Sequence, residues 1–323
     1  MARSIRIQAA GAYYHVMARG NRREDIFHDD DDRRFFLHTL SQACAMTGWH
    51  IHAWALMDNH YHLFIQTPEP NLVSGMSWLQ NTLTRRYNVR HRKWGRLFGD
   101  RYKAVVVEGE DRYHYQTLMD YIHLNPVRAK LIRPGKGHSV LDYAWSSLAS
   151  AYAVVPKRMA KWLAVEAGFK AFELEDTAGG RRKMVERLDR RAVAEEMKSC
   201  GVPPLSEEVD TRCSHLRRGW YWGTQAFGEK MRKLAAALLK KEGAPKSRAY
   251  RKQVTVREHG ERQAEQWLTE GLRTASLKRG ELARVKGSDA RKVLLADLLW
   301  RRTVVSQEWL TRMLPSGGLK GVR

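Results

Sequence analysis

The stretch Met57–Gln66, MDNHYHLFIQ, sets a turn pair, Asp58-Asn59, ahead of a run in which histidine and bulky apolar residues alternate. Asp and Asn favour turns because their short side chains bond the local backbone, and a two-residue turn between extended runs predicts a hairpin. Its arms are WHIHAWALM (Trp49–Met57) and His60–Gln66. Successive strand side chains point to opposite faces. His60 and His62 therefore share one face, roughly 6–7 Å apart, and Tyr61 points away from them.

Reading outward, AYYHVMA (Ala12–Ala18) is short, aromatic and β-branched, which predicts a strand. Asp29–Asp32 opens a segment with Phe36, Leu37, Leu40, Ala43 and Cys44 at helical spacing, and acidic residues suit a helix start. Leu72 to about Arg92 predicts a second helix with a basic tail, Lys103–Glu108 (KAVVVE) a strand, and Tyr113–Leu124 a third helix stopped by Pro126. The order β-α-β-β-α-β-α predicts an α+β domain: an antiparallel ferredoxin-like (split βαβ) sheet with helices on one face. That domain is expected over residues 1–152. Residues 153–323 read as a helical, basic region with a DNA-binding or accessory role, with linkers at GVPPLS (Gly201–Ser206) and EGAPKS (Glu242–Ser247). The last predicted helices are Asp289–Trp300 and Gln307–Leu314, the latter with Ser306 as N-cap and Pro315 beyond its end.

Fifty-seven Lys and Arg against 35 Asp and Glu give a formal net charge of +22, a field that attracts a polyanion. No segment approaches the about eighteen consecutive apolar residues of a spanning helix, so nucleic acid is favoured over membrane as the partner. The opening MARSIRIQAAGAYYHV has charge without a following apolar block, and the expected location is cytoplasmic and nucleoid-associated. Three cysteines without a CxxC pair argue against a disulfide framework or a thiolate zinc site.

Two imidazoles on one strand face can converge on one ion, although His50-Ile51-His52 has the same spacing. Context favours the later pair: it follows a tight turn, whereas His50 and His52 sit between tryptophans. Two imidazoles under-coordinate an ion, so oxygen donors should complete the set. In DYIHLNPVRA (Asp120–Ala129), Leu118, Tyr121, Ile122 and Asn125 share a helix face, with Tyr121 and Asn125 one turn apart. Tyr121 reads either as a core tyrosine or as a nucleophile, because a phenol can attack phosphorus when a cation polarises the phosphate. Asn125 reads either as a helix terminus or as a metal ligand.

Together YYHVMARGNRREDIF, LMDNHYHLFIQ, GRLFGDRYKAVVV and YIHLNPVRAKLI resemble the REP-associated tyrosine transposases, members of the HUH (histidine–hydrophobe–histidine) single-strand DNA transposases with one catalytic tyrosine. The likeness covers roughly Ala2 to Tyr152 and continues weakly through AKWLAVEAGF (Ala160–Phe169) and RGWYWGTQAF (Arg218–Phe227). It implies that His60 and His62 are the metal pair, that Tyr121 attacks a DNA phosphate to leave a 5′-phosphotyrosine and a free 3′-hydroxyl, and that Asn125 supplies a third ligand to Mg²⁺ or Mn²⁺. It also implies hairpin-forming single-stranded DNA as the partner, with a monomer and a homodimer both open. Asp58 stands where the family usually has proline and Asp100 where glycine is common; Asp58 either adds a carboxylate near the ion or serves the turn.

Single-strand binding combines cations that follow phosphates with aromatic faces on which bases stack. Candidates are Arg19, Arg22 and Arg23; Arg85, Arg86 and Tyr87, with Trp94 further along the same segment; and Arg101 and Lys103, which flank Tyr102. Ser288–Leu314 looks faintly like the opening of a helix-turn-helix, but the nine residues after Leu314 cannot build a recognition helix, so a helical bundle is expected. Two competing functions stand beside the transposase: a catalytically silent hairpin-binding protein, and a metal-dependent RNA phosphodiesterase using metal-bound water.

Overall fold

The structure is a computed structural model that describes residues 7–154, 161–199, 219–241, 261, 264–303, 305 and 307–315. The chain divides into two compact units, Met1–Leu79 with Arg96–Gly243, and Gln80–Gly95 with Ala244–Arg323.

The first unit is built on a sheet of β1 (Ala12–Arg19), β2 (His50–Met57), β3 (His60–Thr67), β4 (Lys103–Val107) and β5 (Tyr221–Trp222), in the order β2-β3-β1-β4-β5. The first four strands pair antiparallel, with Arg19 opposite His60, Met17 opposite both His62 and Lys103, and Ala55 opposite His62. This is the split-βαβ order expected from the sequence. The edge strand β5 is an addition: two residues paired parallel to β4, too short to carry a period-2 pattern, and held by the Trp222 indole donating to the His114 carbonyl at 3.2 Å.

Helix α1 (Asp30–Thr47) starts where the Asp29 side chain accepts the Asp32 amide, and ends at Gly48, whose φ of 72° closes the helix in the left-handed region at little steric cost. Its Phe36 meets Tyr61 at 4.8 Å between ring centroids, so α1 covers the sheet face opposite the histidine pair. Helix α2 (Leu72–His91) follows β3. Helix α3 (Arg112–His123) covers the histidine face, which gives the sheet a helix on each side rather than on one. The reason lies in its apolar stripe: Tyr115, Leu118, Tyr121 and Ile122 are all buried, and each large apolar side chain removed from water contributes about 1.5–3 kcal/mol.

The compact unit extends past Tyr152. After the single turn α4 (Asn125–Arg128), helices α5 (Val165–Ala171) and α6 (Ala178–Ser199) enter the same core through Val165, Phe169, Met184, Leu188 and Ala192. Asp120 of α3, almost wholly buried, receives Arg187 and Arg191 of α6: Arg187 Nη1 lies 2.9 Å from Oδ2, Arg191 Nη1 2.5 Å from Oδ2, and Arg187 Nη2 also contacts Oδ1. A buried carboxylate needs such partners, and these come from beyond the expected boundary.

The second unit has its own core of Leu268, Leu272, Leu295, Leu299, Trp309 and Leu310, drawn from helical residues 264–274, Ala290–Arg302 and Gln307–Met313. Asp289 caps the second of these helices by accepting the Arg291 amide. Ser306 and both predicted linkers lie outside the described residues, as do Cys200 and Cys213; Cys44 is buried as a free thiol. Among the described residues no helix is long and apolar enough to cross a membrane.

Candidate active site

Strand parity puts Arg19, Met17 and His15 of β1 and Lys103 of β4 on the same face as His60 and His62. Above that face α3 brings Tyr121. The His62 and Tyr121 ring centroids lie 5.8 Å apart, and those of His60 and His62 5.1 Å apart. His60, His62, Tyr121 and Asn125 line one pocket of about 920 Å³. The arrangement read from the sequence, a strand-borne imidazole pair and a helix-borne phenol facing a common gap, is present.

Both imidazoles are held neutral. Burial, then the Arg19 guanidinium, brings the pKa of His60 down to about 4; burial, then the neighbouring His15, holds His62 well below the ordinary histidine value. Neutral imidazole is the form that can ligate a cation at physiological pH. Asn125 heads a single turn, Asn125–Arg128, forced by Pro126, and its Nδ2 donates to the Tyr121 carbonyl at 2.8 Å. The amide oxygen is therefore not the atom spent on that bond. Two imidazole nitrogens and one amide oxygen offer a divalent cation three donors, with water left to complete the shell.

His50 and His52 differ from the later pair for a geometric reason. The β2–β3 register shifts between Ile51 and Ala53, which inserts His52 as an extra residue, buried, with Nδ1 2.7 Å from the Tyr115 hydroxyl; His50 is exposed. Asp58 serves the turn: its carboxylate pairs with Arg33 and its carbonyl accepts the Ile26 and Phe27 amides at 2.9 and 3.0 Å.

Arg19, Arg22, Arg23, Arg101 and Lys103 line the pocket, with Asp100. Two of these basic segments form one surface because β1 and the approach to β4 are stitched past the strand ends: the Asn21 amide donates to Leu97 at 2.9 Å and the Gly99 amide to Arg19 at 3.2 Å. Gly20 allows the stitch, since a Cβ there would stand 2.0 Å from the Glu24 carbonyl oxygen. Tyr102, between Arg101 and Lys103, is buried and offers no stacking face.

Arg85, Arg86 and Tyr87 are not among the residues lining this pocket and act within the second unit. Arg85 donates to the carbonyls of Val305 and Trp300, both at 2.9 Å, and of Thr303 at 2.5 Å, and lies 4.4 Å over the Trp300 ring. Helix ends leave carbonyls unsatisfied, and this guanidinium fills that need instead of facing phosphate. Arg86 is buried; Tyr87 is buried too, its ring tilted 42° against that of His91 at 4.4 Å and its hydroxyl accepting Lys93 Nζ at 3.1 Å. Trp94, 93% exposed, is the aromatic of that segment that remains open.

Two residues escaped the reading of the sequence. Arg128 sits 4.6 Å over the Tyr121 ring, donates to the Tyr121 carbonyl at 2.7 Å, and is fixed by Glu195 of α6 at 2.5 Å. His15 has its Nε2 2.9 Å from His62 Nδ1. Its signal was available only through register: β1 and β3 must be aligned before His15 and His62 share a face.

The split-βαβ sheet carries the imidazole pair on β3 and the tyrosine on the covering helix α3, the placement expected from the resemblance to the HUH transposases. Residues 8–125 match the model of the family described as "Transposase IS200 like", a span that runs from before β1 to Asn125 and includes His60, His62 and Tyr121. Over those residues the chain is similar to the IS200-like transposases. A solved structure described as a REP-associated tyrosine transposase bound to a REP hairpin aligns with a TM-score of 0.40 and 18% identity, covering 48% of this chain and 89% of that one. No curated protein matches significantly.

Proposed function

We propose that this chain is a single-strand DNA endonuclease and strand transferase that cleaves hairpin-forming DNA through a 5′-phosphotyrosine intermediate. The observation that carries the reading is the shared pocket: Tyr121, His60 and His62 face one cavity rimmed by Arg19, Arg22, Arg23, Arg101 and Lys103.

The rim cations hold the backbone of an incoming strand, and the neighbouring amides and side chains fix its register. Tyr121 Oη attacks the phosphorus and the P–O3′ bond breaks. The phenol proton passes to solvent, and the departing 3′ oxygen takes one up to become a hydroxyl. Arg128, tied to Glu195 and lying over the Tyr121 ring, keeps the phenol from turning away. Mg²⁺ or Mn²⁺, held by His60, His62 and Asn125, would withdraw charge from the scissile phosphate. The phosphotyrosine conserves the bond energy, so a second 3′-hydroxyl can reverse the step and rejoin DNA without ATP.

The test is incubation with 5′- and 3′-labelled hairpin oligonucleotides in Mn²⁺ or EDTA, followed by denaturing electrophoresis. A covalent protein–DNA species should form with wild type, and Tyr121→Phe should abolish it while leaving binding intact. Cleavage without an adduct would favour hydrolysis by metal-bound water, and binding without cleavage a silent hairpin-binding protein.

A further inference from the structure

The histidine pair is oriented from outside the pocket, and the two members are oriented differently. Asn59 Nδ2 donates to the Arg23 carbonyl at 3.1 Å, which fixes the amide's rotation, and its Oδ1 lies 2.7 Å from His60 Nδ1. An amide oxygen only accepts, so His60 carries its proton on Nδ1 and keeps the Nε2 lone pair. His62 is met by a second imidazole instead. Its Nδ1 is 2.9 Å from His15 Nε2, the two rings stack at 5.1 Å and 19°, and His15 also meets the Tyr121 ring edge-on at 5.4 Å.

Two neutral imidazoles can share that bond in two ways. If His15 donates, the proton of His62 sits on Nε2 and the ring turns an N–H toward the pocket, which repels a cation. If His62 donates from Nδ1, its Nε2 lone pair is free, as that of His60 is. We infer that His15 is a positioning residue that accepts the His62 Nδ1 proton, fixing His62 in the tautomer able to ligate a divalent cation and holding its ring plane against Tyr121. His15 is fully buried on β1, opposite Phe64, so its ring has no solvent route to a different role. The inference rests on the reading of His60 and His62 as a metal pair. Outer partners of ligating histidines typically set metal affinity by roughly 10–100-fold.

The full chain, ¹⁵N-labelled at histidine, is examined without metal by long-range ¹H–¹⁵N correlation, and Mn²⁺ binding is followed by the loss of the free-ion EPR signal for wild type, His15→Gln and His15→Leu. His62 should be found as the Nδ1–H tautomer. His15→Leu should weaken Mn²⁺ binding by roughly 10–100-fold, and His15→Gln, whose amide oxygen can still accept, should restore most of it. An Nε2–H tautomer for His62, a Leu variant that binds like wild type, or equal losses in both variants would each overturn the assignment. Absence of Mn²⁺ binding in wild type would refute the metal reading instead, and the tautomer would still decide what His15 accepts.

Discussion

Acidification from pH 7 to pH 5 should cost the first unit about 4 kcal/mol through two histidines outside the pocket. His52 and His123 are buried against the Tyr115 and Ser147 hydroxyls, at 2.7 and 2.8 Å, and burial lowers the pKa of each to about 3. Unfolded, each returns to an ordinary value near 6.5. Between those limits the unfolded chain binds one more proton per histidine than the folded one, so stability rises with pH and is lost as pH falls below about 6.5, levelling off near 3. At pH 5 the difference is about 1.5 pH units, and at about 1.36 kcal/mol per unit each histidine contributes about 2 kcal/mol. Urea unfolding followed by tryptophan fluorescence at pH 7, 6 and 5 measures it. His60 and His62 add to the wild-type slope, so the decisive quantity is the change on His52→Phe and on His123→Phe. Each variant should reduce the pH slope by one proton, whatever it costs at pH 7 through the lost hydroxyl partner. Slopes unchanged from wild type would refute the assignment of neutral, desolvated imidazoles.

Asp120→Asn should destabilise the unit by about 3 kcal/mol in the same assay, because it leaves Arg187 and Arg191 beside a neutral amide; partial exposure of both guanidinia keeps the cost at the low end for a broken buried pair. The affinity for single-stranded DNA should fall steeply with salt, and Arg22→Ala should reduce the log–log slope by about 0.7, the release expected for one single-strand phosphate contact. Arg85→Ala should leave that slope unchanged and lower thermal stability, since its guanidinium is committed to the Trp300, Thr303 and Val305 carbonyls.

Most of the sheet was legible because its signals are local. Alternation in His60–Gln66, the Asp58-Asn59 turn and the aromatic run at Ala12 each state their structure within a few residues. The face shared by Tyr121 and Asn125 follows from helix spacing alone. What stayed hidden depends on pairing between distant segments. His15 looks like any strand histidine until β1 is set beside β3. His52 mimics His62 in spacing; the turn and the flanking tryptophans set the pairs apart in sequence, but the physical reason, the bulge at Ile51/Ala53, is marked by no local pattern. Asp120 reads as a polar helix residue until Arg187 and Arg191, some seventy residues later, are seen to cover it. The basic segment at Arg85 misled for the opposite reason: charge density is visible in the sequence, but a guanidinium that satisfies carbonyls looks the same there as one that waits for phosphate.

The hairpin arm carrying His60 and His62 behaves like a message with a two-letter frame. Arg19 stands opposite His60 and Ala18 opposite Tyr61, so adding a single residue ahead of His60 would carry both imidazoles to the α1 side and present the tyrosine ring to the pocket. Adding two would restore the side but slide the pair by about 6.6 Å along the strand, out of reach of the phenol. Descent with insertions and deletions is thus closed to this arm in a way it is not to the loops around it, and any working relative should keep its length to the residue.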